Sequence, residues 1–310
     1  MLEALETGLG LDIVLWLQAN RSGLSDFFAV LLDQLGGDIG YLLLLPVVYW
    51  GISRRMGREL VYVLLIGMIG MVAMKELLMR PRPYVASDLI TPLFTEDGYG
   101  LPSGHVTLSL VTWGYVAYQV RRWWAWVLIV LWVLAVGWAR MAAGVHYPQD
   151  VVGGLIWGSA LLVFALATVK RFGRWWDQAA TWQAALLIAV VAVLAYVFTY
   201  EDETGLSAVG LVIGAGLGAL IEQRRLHFSA GGTLSKRVIR CVIGAVLAVG
   251  VFFGLRVVFS DLAPYELWRI LRYAVVAFTL VFVWPWLSVR FGLTQAAAPA
   301  PDASTAAKGA

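Results

Sequence analysis

Long apolar runs dominate the chain, and short polar or charged stretches separate them. A helix that crosses a bilayer needs roughly 20 predominantly apolar residues. Nine segments approach or exceed this length: residues 25–52, 57–79, 104–120, 123–141, 150–169, 179–199, 206–221, 238–259 and 266–289. The pattern therefore predicts an all-α, polytopic membrane helix bundle of about nine spans.

The two ends of the chain depart from this pattern. Residues 1–24 mix apolar side chains with Asp12, Gln18 and Asn20, which favours an amphipathic segment lying in the membrane interface. Residues 293–310 are rich in Ala, Pro, Ser and Thr, which is typical of a disordered tail. The first residues lack the basic region that opens a secretory signal peptide, so we expect no cleavage.

The first apolar segment is the least regular of the nine. Asp33, Gly36, Gly37 and Asp38 interrupt it. We therefore expect its spanning part to begin near Asp38.

The composition excludes an ordinary soluble domain. Hydrophobic residues make up 60% of the chain and charged residues 14%, whereas soluble proteins carry about 25% charged residues. The net charge of +3 does not indicate a nucleic-acid partner, because the basic residues stand in short clusters between the apolar runs. Such clusters are typical of the cytoplasmic ends of membrane spans.

These basic clusters fall at alternate ends of the predicted spans. One side carries residues 54–58, 121–122, 170–174, 224–225 and 236–240, with Arg290 and Lys308. The opposite side carries Asp88, Glu96, Asp97, the acidic run 201–203, Asp261 and Glu266. Cytoplasmic loops are enriched in Lys and Arg, so the first side is predicted to be cytoplasmic. We expect a multi-pass protein of the cell (inner) membrane, with the N-terminus outside and the C-terminus in the cytoplasm.

Three polar clusters lie at the predicted outer ends of the spans. The first holds Lys75 and Arg82, seven residues apart, a spacing that puts both on one face of a continuous helix. Basic residues on the outer side are exceptions to the enrichment of Lys and Arg in cytoplasmic loops, so they indicate a specific anionic partner. The alternative is that they snorkel to lipid head groups.

The second cluster, Pro-Ser-Gly-His at 102–105, opens the third segment. Ser103 is a favourable N-cap, Gly104 permits close approach, and the free N–H groups of a helix start bind anions. His105 would then lie in the first turn beside the anion. Taken alone, the tetrapeptide also fits an ordinary capped helix start.

The third cluster comprises Arg140, His146 and Asp150. His146 and Asp150 lie one turn apart if a helix begins near Pro148, or across a tight turn otherwise. A carboxylate on one imidazole nitrogen fixes the tautomer and leaves the other nitrogen free to attack. In isolation, a histidine near a carboxylate is more often structural.

Together the clusters supply three cations, one carboxylate and two of the three histidines in the chain. The remaining histidine, His227, falls in a predicted cytoplasmic loop. No Cys/His set has zinc spacing, and no carboxylate cluster in the sequence is of the kind that holds magnesium. We therefore expect phosphate chemistry without a metal or other cofactor, in which fixed positive charge stabilises the transferring group.

The clusters resemble the motifs of the type 2 phosphatidic acid phosphatase superfamily, which also contains the vanadium haloperoxidases and bacterial acid phosphatases. Its first motif is Lys, six residues, then Arg-Pro, matched by residues 75–83, and its second is Pro-Ser-Gly-His. Its third is Ser-Arg, five residues, His, three residues, Asp, matched by residues 139–150 except that Ala139 replaces the serine. The resemblance covers roughly residues 25–175. It implies a phosphatase core of about five spans there and a four-span membrane extension over 176–292.

The resemblance also implies a role for each matched residue. His146 would be the nucleophile that forms a phosphohistidine, and Asp150 would orient it. His105 would protonate the leaving alkoxide and later activate water. The phosphate would be bound by Lys75, Arg82, Ser103, Gly104 and Arg140. The loss of the motif serine at Ala139 affects one hydrogen bond near Arg140 and removes no catalytic group.

The expected function is thus an integral membrane lipid phosphatase that acts on a lipid phosphate at the outer face. Candidate substrates are polyprenyl pyrophosphates, phosphatidic acid and phosphatidylglycerol phosphate. One alternative is a lipid or ion transporter, and another is a phosphatase of a water-soluble ester on the same scaffold. Transporter sites lie near the middle of the bilayer, whereas these clusters collect at one face.

The predicted extension carries two further patterns. Gly210, Gly214 and Gly218 recur every four residues, which predicts a close-packing face for a neighbouring helix, within the chain or in a dimer. Arg269 and Arg272 lie on adjacent turns. They either pair with nearby acids or provide a second head-group contact.

Overall fold

The computed structural model describes residues 7–259 and 262–296, and the regular elements of this part are helices. The first eight helices are α1 (Leu9–Ala19), α2 (Gly23–Gly36), α3 (Asp38–Pro46, continued by a π-helical turn Val47–Ile52), α4 (Arg54–Leu78), α5 (Pro83–Ala86), α6 (Gly104–Val120), α7 (Trp123–Ala142) and α8 (Pro148–Gln178). The remainder are α9 (Thr181–Thr199), α10 (Glu203–Ile221, then Glu222–Leu226), α11 (Leu234–Phe259), α12 (Tyr265–Phe278, then Thr279–Val283) and α13 (Trp284–Arg290). The all-α class is confirmed.

The predicted number of nine spans is wrong. Seven helical stretches of the described residues are long and apolar enough to cross a membrane, or eight if the bent pair Gly23–Gly36 and Ile39–Ile52 forms one span. The segment 104–120 does form a helix, α6, but it has only 17 residues. Its Thr107, Ser109 and Thr112 side chains are buried between neighbouring helices, so α6 has less apolar surface than a lipid-facing span.

The first apolar segment divides where the glycines stand. α2 ends at Gly36, Gly37 is extended, and α3 begins at Asp38, with a 46° bend between the two helices. α2 packs mainly against α7 rather than continuing the line of α3. The C-terminal end of α2 thereby reaches the end of the bundle where α7 finishes.

Lys75 and Arg82 do not share a helix face, contrary to the sequence prediction. α4 ends at Leu78, and Met79 adopts a left-handed conformation with φ of 47°. Pro81 and Pro83 prevent the helix from continuing, because proline lacks the N–H that a helix interior requires. Arg82 instead precedes the short helix α5.

Two groups of helices build the bundle. α6 packs against α4, α7 and α8, and α4 also packs against α8; in the second group, α10 packs against α9, α4 and α12. The glycine stripe of α10 makes a close contact within the chain: a Cβ at Gly214 would collide with the carbonyl oxygen of Ala274 in α12. This agrees with the intrachain interpretation of the stripe.

The first described helix, α1, covers the loops at the end of the core where α4 and α7 finish. Val14 of α1 is fully buried against Ile90 and Tyr147. The Gln18 side chain donates to the carbonyl of Thr91 (2.8 Å) and accepts from its N–H (3.2 Å). The interfacial location of residues 1–24 stays a prediction, and residues 1–6 lie outside the described part. Residues 297–310 of the predicted disordered tail also lie outside it.

Candidate active site

The predicted site residues meet at one end of the core, where α4 and α7 finish and α6 and α8 begin. These residues are Lys75, Arg82, Ser103, Gly104, His105, Arg140, His146 and Asp150. Backbone hydrogen bonds join the segments that carry them: Ser103 N–H donates to the Asp150 carbonyl (2.9 Å), and Gly100 N–H donates to the Arg80 carbonyl (2.8 Å). Three sequence motifs thus form one continuous wall.

The histidine–carboxylate pair arises because α8 begins at Pro148. Asp150 then lies in the first turn, where one carboxylate oxygen, Oδ2, accepts from Tyr147 N–H (2.9 Å) and lies 3.2 Å from His146 Nδ1. Both side chains are buried. Of the two arrangements that the sequence left open, the structure has the helical one.

The tautomer of His146 follows from its two partners. Arg82 Nη1 lies 3.3 Å from His146 Nε2, and a guanidinium can only donate hydrogen bonds. An ionised carboxylate can only accept, so Asp150 requires the imidazole proton on Nδ1. His146 therefore presents an unprotonated Nε2, whose lone pair faces a cation.

The charge distribution around the site favours this neutral form. Burial, followed by the nearby charges of Arg82, Arg140 and Lys75, lowers the pKa of His146 well below its usual value. A neutral imidazole is the nucleophilic form. His146 is thus neutral at physiological pH.

Arg82 is held rigidly by the loop that follows α5. Its Nε donates to the Gly98 carbonyl (3.0 Å), and its Nη2 donates to the Asp97 carbonyl (3.0 Å). Nη1 also lies 3.3 Å from the Val145 carbonyl, next to His146. These bonds orient the planar guanidinium beside His146, which a lysine could not reproduce.

The start of α6 supplies further donors. Ser103 is at the N-cap, but its hydroxyl makes no capping hydrogen bond, in contrast to the sequence prediction of a capping serine. Ser103 Oγ and Arg140 Nε are both buried without a hydrogen-bond partner among the described residues. A Cβ placed on Gly104 would lie 3.9 Å from Lys75 Nζ, so the ammonium closely approaches this helix start. Such unsatisfied donors are suited to an anionic ligand.

Two carboxylates in the site were not among the predicted site residues. Glu96 Oε2 pairs with Arg82 Nη1 (3.1 Å) and with Arg140 Nη2. Asp33, from α2, pairs with Arg140 Nη1, and its Oδ1 lies 3.3 Å from His105 Nε2. The sequence analysis used Glu96 only as a marker of orientation and Asp33 only as an interruption of an apolar run.

Glu96 remains ionised in this position. Burial alone would raise its pKa, but Arg140, His105 and Arg82 together lower the pKa well below its usual value. Its backbone is fixed separately, because Tyr84 Oη donates to its carbonyl (2.5 Å) and accepts from its N–H (3.0 Å). The side chain is 27% exposed, so it can rotate away from the guanidinium groups without movement of the loop.

The carboxylates also create a grouping that the sequence did not suggest. Asp33, Glu96 and His105 offer oxygen and nitrogen atoms within 4.8 Å of one another, a spacing compatible with a metal ion. Both carboxylates already pair with the Arg140 guanidinium, however, and this charge opposes a cation at the same place. The donor set therefore fits a resident metal poorly.

The two arginines of the predicted extension contact other residues of the extension. Arg269 pairs with Glu203 (2.6 Å), as expected from pairing with a nearby acid. Arg272 instead lies over the rings of Phe252 and Tyr273, 5.8 and 5.3 Å from their centroids.

Comparison with known families gives two matches in this chain. Residues 57–174 match the model of the PAP2 superfamily, and residues 206–297 match the model described as PAP2 superfamily phosphatase, transmembrane extension. The first match contains the eight predicted site residues, whereas Asp33 lies before it. No solved structure matches the chain.

Several curated proteins are similar to the chain. A probable sphingosine-1-phosphate phosphatase of Dictyostelium discoideum is 25% identical over 67% of this chain and 56% of its own length. Sphingosine-1-phosphate phosphatase 2 of Homo sapiens is 28% identical over 54% of this chain and 43% of its own. An undecaprenyl-diphosphatase of Sulfolobus acidocaldarius is 27% identical over 34% of this chain and 52% of its own. The chain spans about half the length of the curated relatives it matches.

Proposed function

The chain belongs to the PAP2 superfamily, and on that basis we propose that it is a membrane lipid phosphatase with His146 as its nucleophile. One observation carries the proposal: the unprotonated Nε2 of His146 faces Arg82, while Nδ1 is held by Asp150. A phosphate bound by Arg82 would therefore lie directly in front of the attacking lone pair.

In the first step, His146 Nε2 attacks phosphorus. The N–P bond forms as the bond from phosphorus to the lipid oxygen breaks, and protonated His105 gives its proton to the departing alkoxide. The imidazole of His146 becomes cationic, and Asp150 stabilises that charge through Nδ1–H. The products are a phosphohistidine and the free lipid alcohol.

In the second step, water replaces the histidine. Neutral His105 removes a proton from the water as its oxygen attacks phosphorus. The N–P bond breaks, and its electron pair returns to His146 Nε2. Inorganic phosphate leaves, and the site regains its initial protonation state.

The cations make the transfer possible without a metal. The equatorial oxygens of the transferring group carry the developing negative charge. Lys75, Arg82 and Arg140 are buried around the place where those oxygens would lie, and preorganised charge in a dry site is worth far more than in water. Ser103 Oγ adds a neutral donor.

A lipid phosphate is the substrate class we propose. The matched relatives are named for sphingosine phosphate and for undecaprenyl diphosphate, so a single-chain amino-alcohol phosphate and a polyprenyl pyrophosphate join phosphatidic acid and phosphatidylglycerol phosphate as candidates. From the basic clusters, we infer that the site faces the outside of the cell membrane and the C-terminus faces the cytoplasm. A substrate would then enter sideways from the outer leaflet.

The test is phosphate release by purified protein in detergent, with EDTA present and a panel of these lipid phosphates. We expect the wild type to release phosphate and His146→Asn to release none. His227→Asn is the matched control, because His227 lies outside the site in a left-handed conformation that asparagine tolerates. Near-normal turnover by His146→Asn would refute the mechanism, and an inactive wild type would refute the function.

A further inference from the structure

Asp33 is a buried carboxylate that lies outside the matched motifs and contacts the general acid–base residue. Its Oδ1 is 3.3 Å from His105 Nε2 and pairs with Arg140, and its Oδ2 accepts from the Gln34 side chain (3.2 Å). The residue is only 8% exposed. A carboxylate at this distance is placed to accept a hydrogen bond from Nε2–H of the imidazole.

The surroundings of His105 fix which edge of its ring faces α2. A Cβ at Gly37 would lie 3.1 Å from His105 Nε2, and a Cβ at Gly36 would lie 3.6 Å from His105 Cδ2. The Nε2–Cδ2 edge is therefore packed against the end of α2, next to Asp33. The opposite edge, which carries Nδ1, is the one left for a substrate.

We propose that Asp33 is a positioning residue for catalysis: it holds His105 with Nε2 towards α2, so that Nδ1 is the atom that exchanges the proton with the lipid oxygen and with water. The proposal rests on the phosphatase function argued above. It gives His105 a partner equivalent to the one that Asp150 gives His146. The site then contains two imidazole–carboxylate pairs, one for the nucleophile and one for the acid.

The chemistry of the leaving group separates this role from a structural one. An alkoxide leaving group needs a proton, whereas p-nitrophenolate is a much weaker base and leaves without one. The loss of the Asp33 carboxylate should therefore slow the cleavage of an alkyl phosphate far more than that of p-nitrophenyl phosphate. A change in phosphate binding through Arg140 would affect both substrates equally, since both carry the same phosphate.

The experiment compares kcat/KM for a lipid alkyl phosphate and for p-nitrophenyl phosphate, using the full chain in detergent. For Asp33→Asn we expect a fall of about 10- to 100-fold with the alkyl phosphate, part of the 10²–10⁴-fold that general acid catalysis contributes. The fall with the aryl phosphate should stay below about threefold. Asp26→Asn is the matched control on the same helix, because Asp26 pairs with Arg21 (3.3 Å) and not with a site residue.

Two further variants test the same contact by different routes. In a His105→Asn background, Asp33→Asn should cause no additional loss, because the two residues act as a unit. Gly37→Ala keeps the carboxylate but places a methyl group 3.1 Å from Nε2, so it should reproduce the dependence on the leaving group even if Asp33→Asn does not fold.

Equal losses on the two substrates, or additive losses in the double variant, would overturn the role of Asp33 and leave the phosphatase function intact. A wild type that hydrolyses neither substrate would instead reject the proposed function, and the role of Asp33 with it.

Discussion

Replacing Asp150 by asparagine tests the proposed nucleophile most directly. The substitution keeps the shape of the side chain and its ability to accept from Tyr147 N–H, so the start of α8 should be preserved. It removes the negative charge 3.2 Å from His146 Nδ1. That charge matters most when the imidazole becomes cationic, during formation of the N–P bond.

The size of the effect follows from this distance. Two unit charges about 4 Å apart attract each other by about 4 kcal/mol at an effective dielectric constant of 20. Since about 1.4 kcal/mol corresponds to a factor of ten in rate, we expect kcat/KM to fall roughly 10³-fold. Substrate binding should change little, because Lys75, Arg82 and Arg140 are retained.

The assay combines steady-state phosphate release with rapid-quench trapping of the phosphoenzyme from a radiolabelled substrate. Asp177→Asn makes the same change at the far end of α8, where Asp177 pairs with Arg58 (2.9 Å), and it should leave kcat/KM unaltered. A fall of less than tenfold in Asp150→Asn would show that no positive charge develops on His146. The reasoning on the nucleophile would then be wrong.

Four further predictions follow from the same geometry. Glu96→Gln should lower the inhibition constant of vanadate about threefold, because the carboxylate competes for Arg82 and Arg140; an unchanged constant would mean that Glu96 does not occupy the phosphate position. EDTA should leave phosphate release unchanged, whereas full inactivation reversed by magnesium would assign a metal to the Asp33–Glu96–His105 group. In a Cys241→Ser background, a cysteine at Asp97 should react with a membrane-impermeant thiol reagent in intact cells and one at Arg122 should not, and the reverse pattern would overturn the orientation. Because burial lowers the folded-state pKa of His146, its contribution to stability is present above the unfolded pKa of about 6.5 and is lost as pH falls below it. Thermal unfolding of His146→Asn should therefore show a weaker decline below that pH than the wild type, and parallel curves would contradict this.

Local patterns in the sequence predicted most of the helices and the composition of the site wall. Each motif is short, so its residues are close together whatever the rest of the chain does. Arg140 and His146, for example, are separated by a single short connection at the end of α7. What the sequence could not supply was the relation of α2 to this wall, because Asp33 and Arg140 are 107 residues apart.

The error in the number of spans has a related cause. The mean hydropathy of a segment includes the side chains on every face of the helix. Whether each face contacts lipid or protein depends on how the neighbouring helices pack. α6 runs from the end of the core that holds the site to the opposite end, but with 17 residues it falls below the length of the helices that qualify as spans. It packs against α4, α7 and α8, and its buried Thr and Ser side chains give it a composition that differs from that of lipid-facing helices.

The acidic residues of the site explain how its cations can be buried before a substrate arrives. Removing an ion from water costs several kcal/mol unless a counterion accompanies it, and Arg140 is fully buried. In the structure its counterions are Asp33 and Glu96, and Glu96 is shared with Arg82. The family motifs contain the groups that we propose to contact phosphate, and they omit the carboxylates that pair with those cations in the structure. On the proposed function, phosphate would displace Glu96, which is partly exposed and lies on a loop fixed by Tyr84. Asp33, which is buried and packed against His105, would stay. An acidic residue close to a phosphate-binding motif but outside it can therefore be interpreted as a counterion of the motif cations. Its burial and its partners indicate whether a substrate phosphate would displace it or whether it would keep its contacts during the reaction.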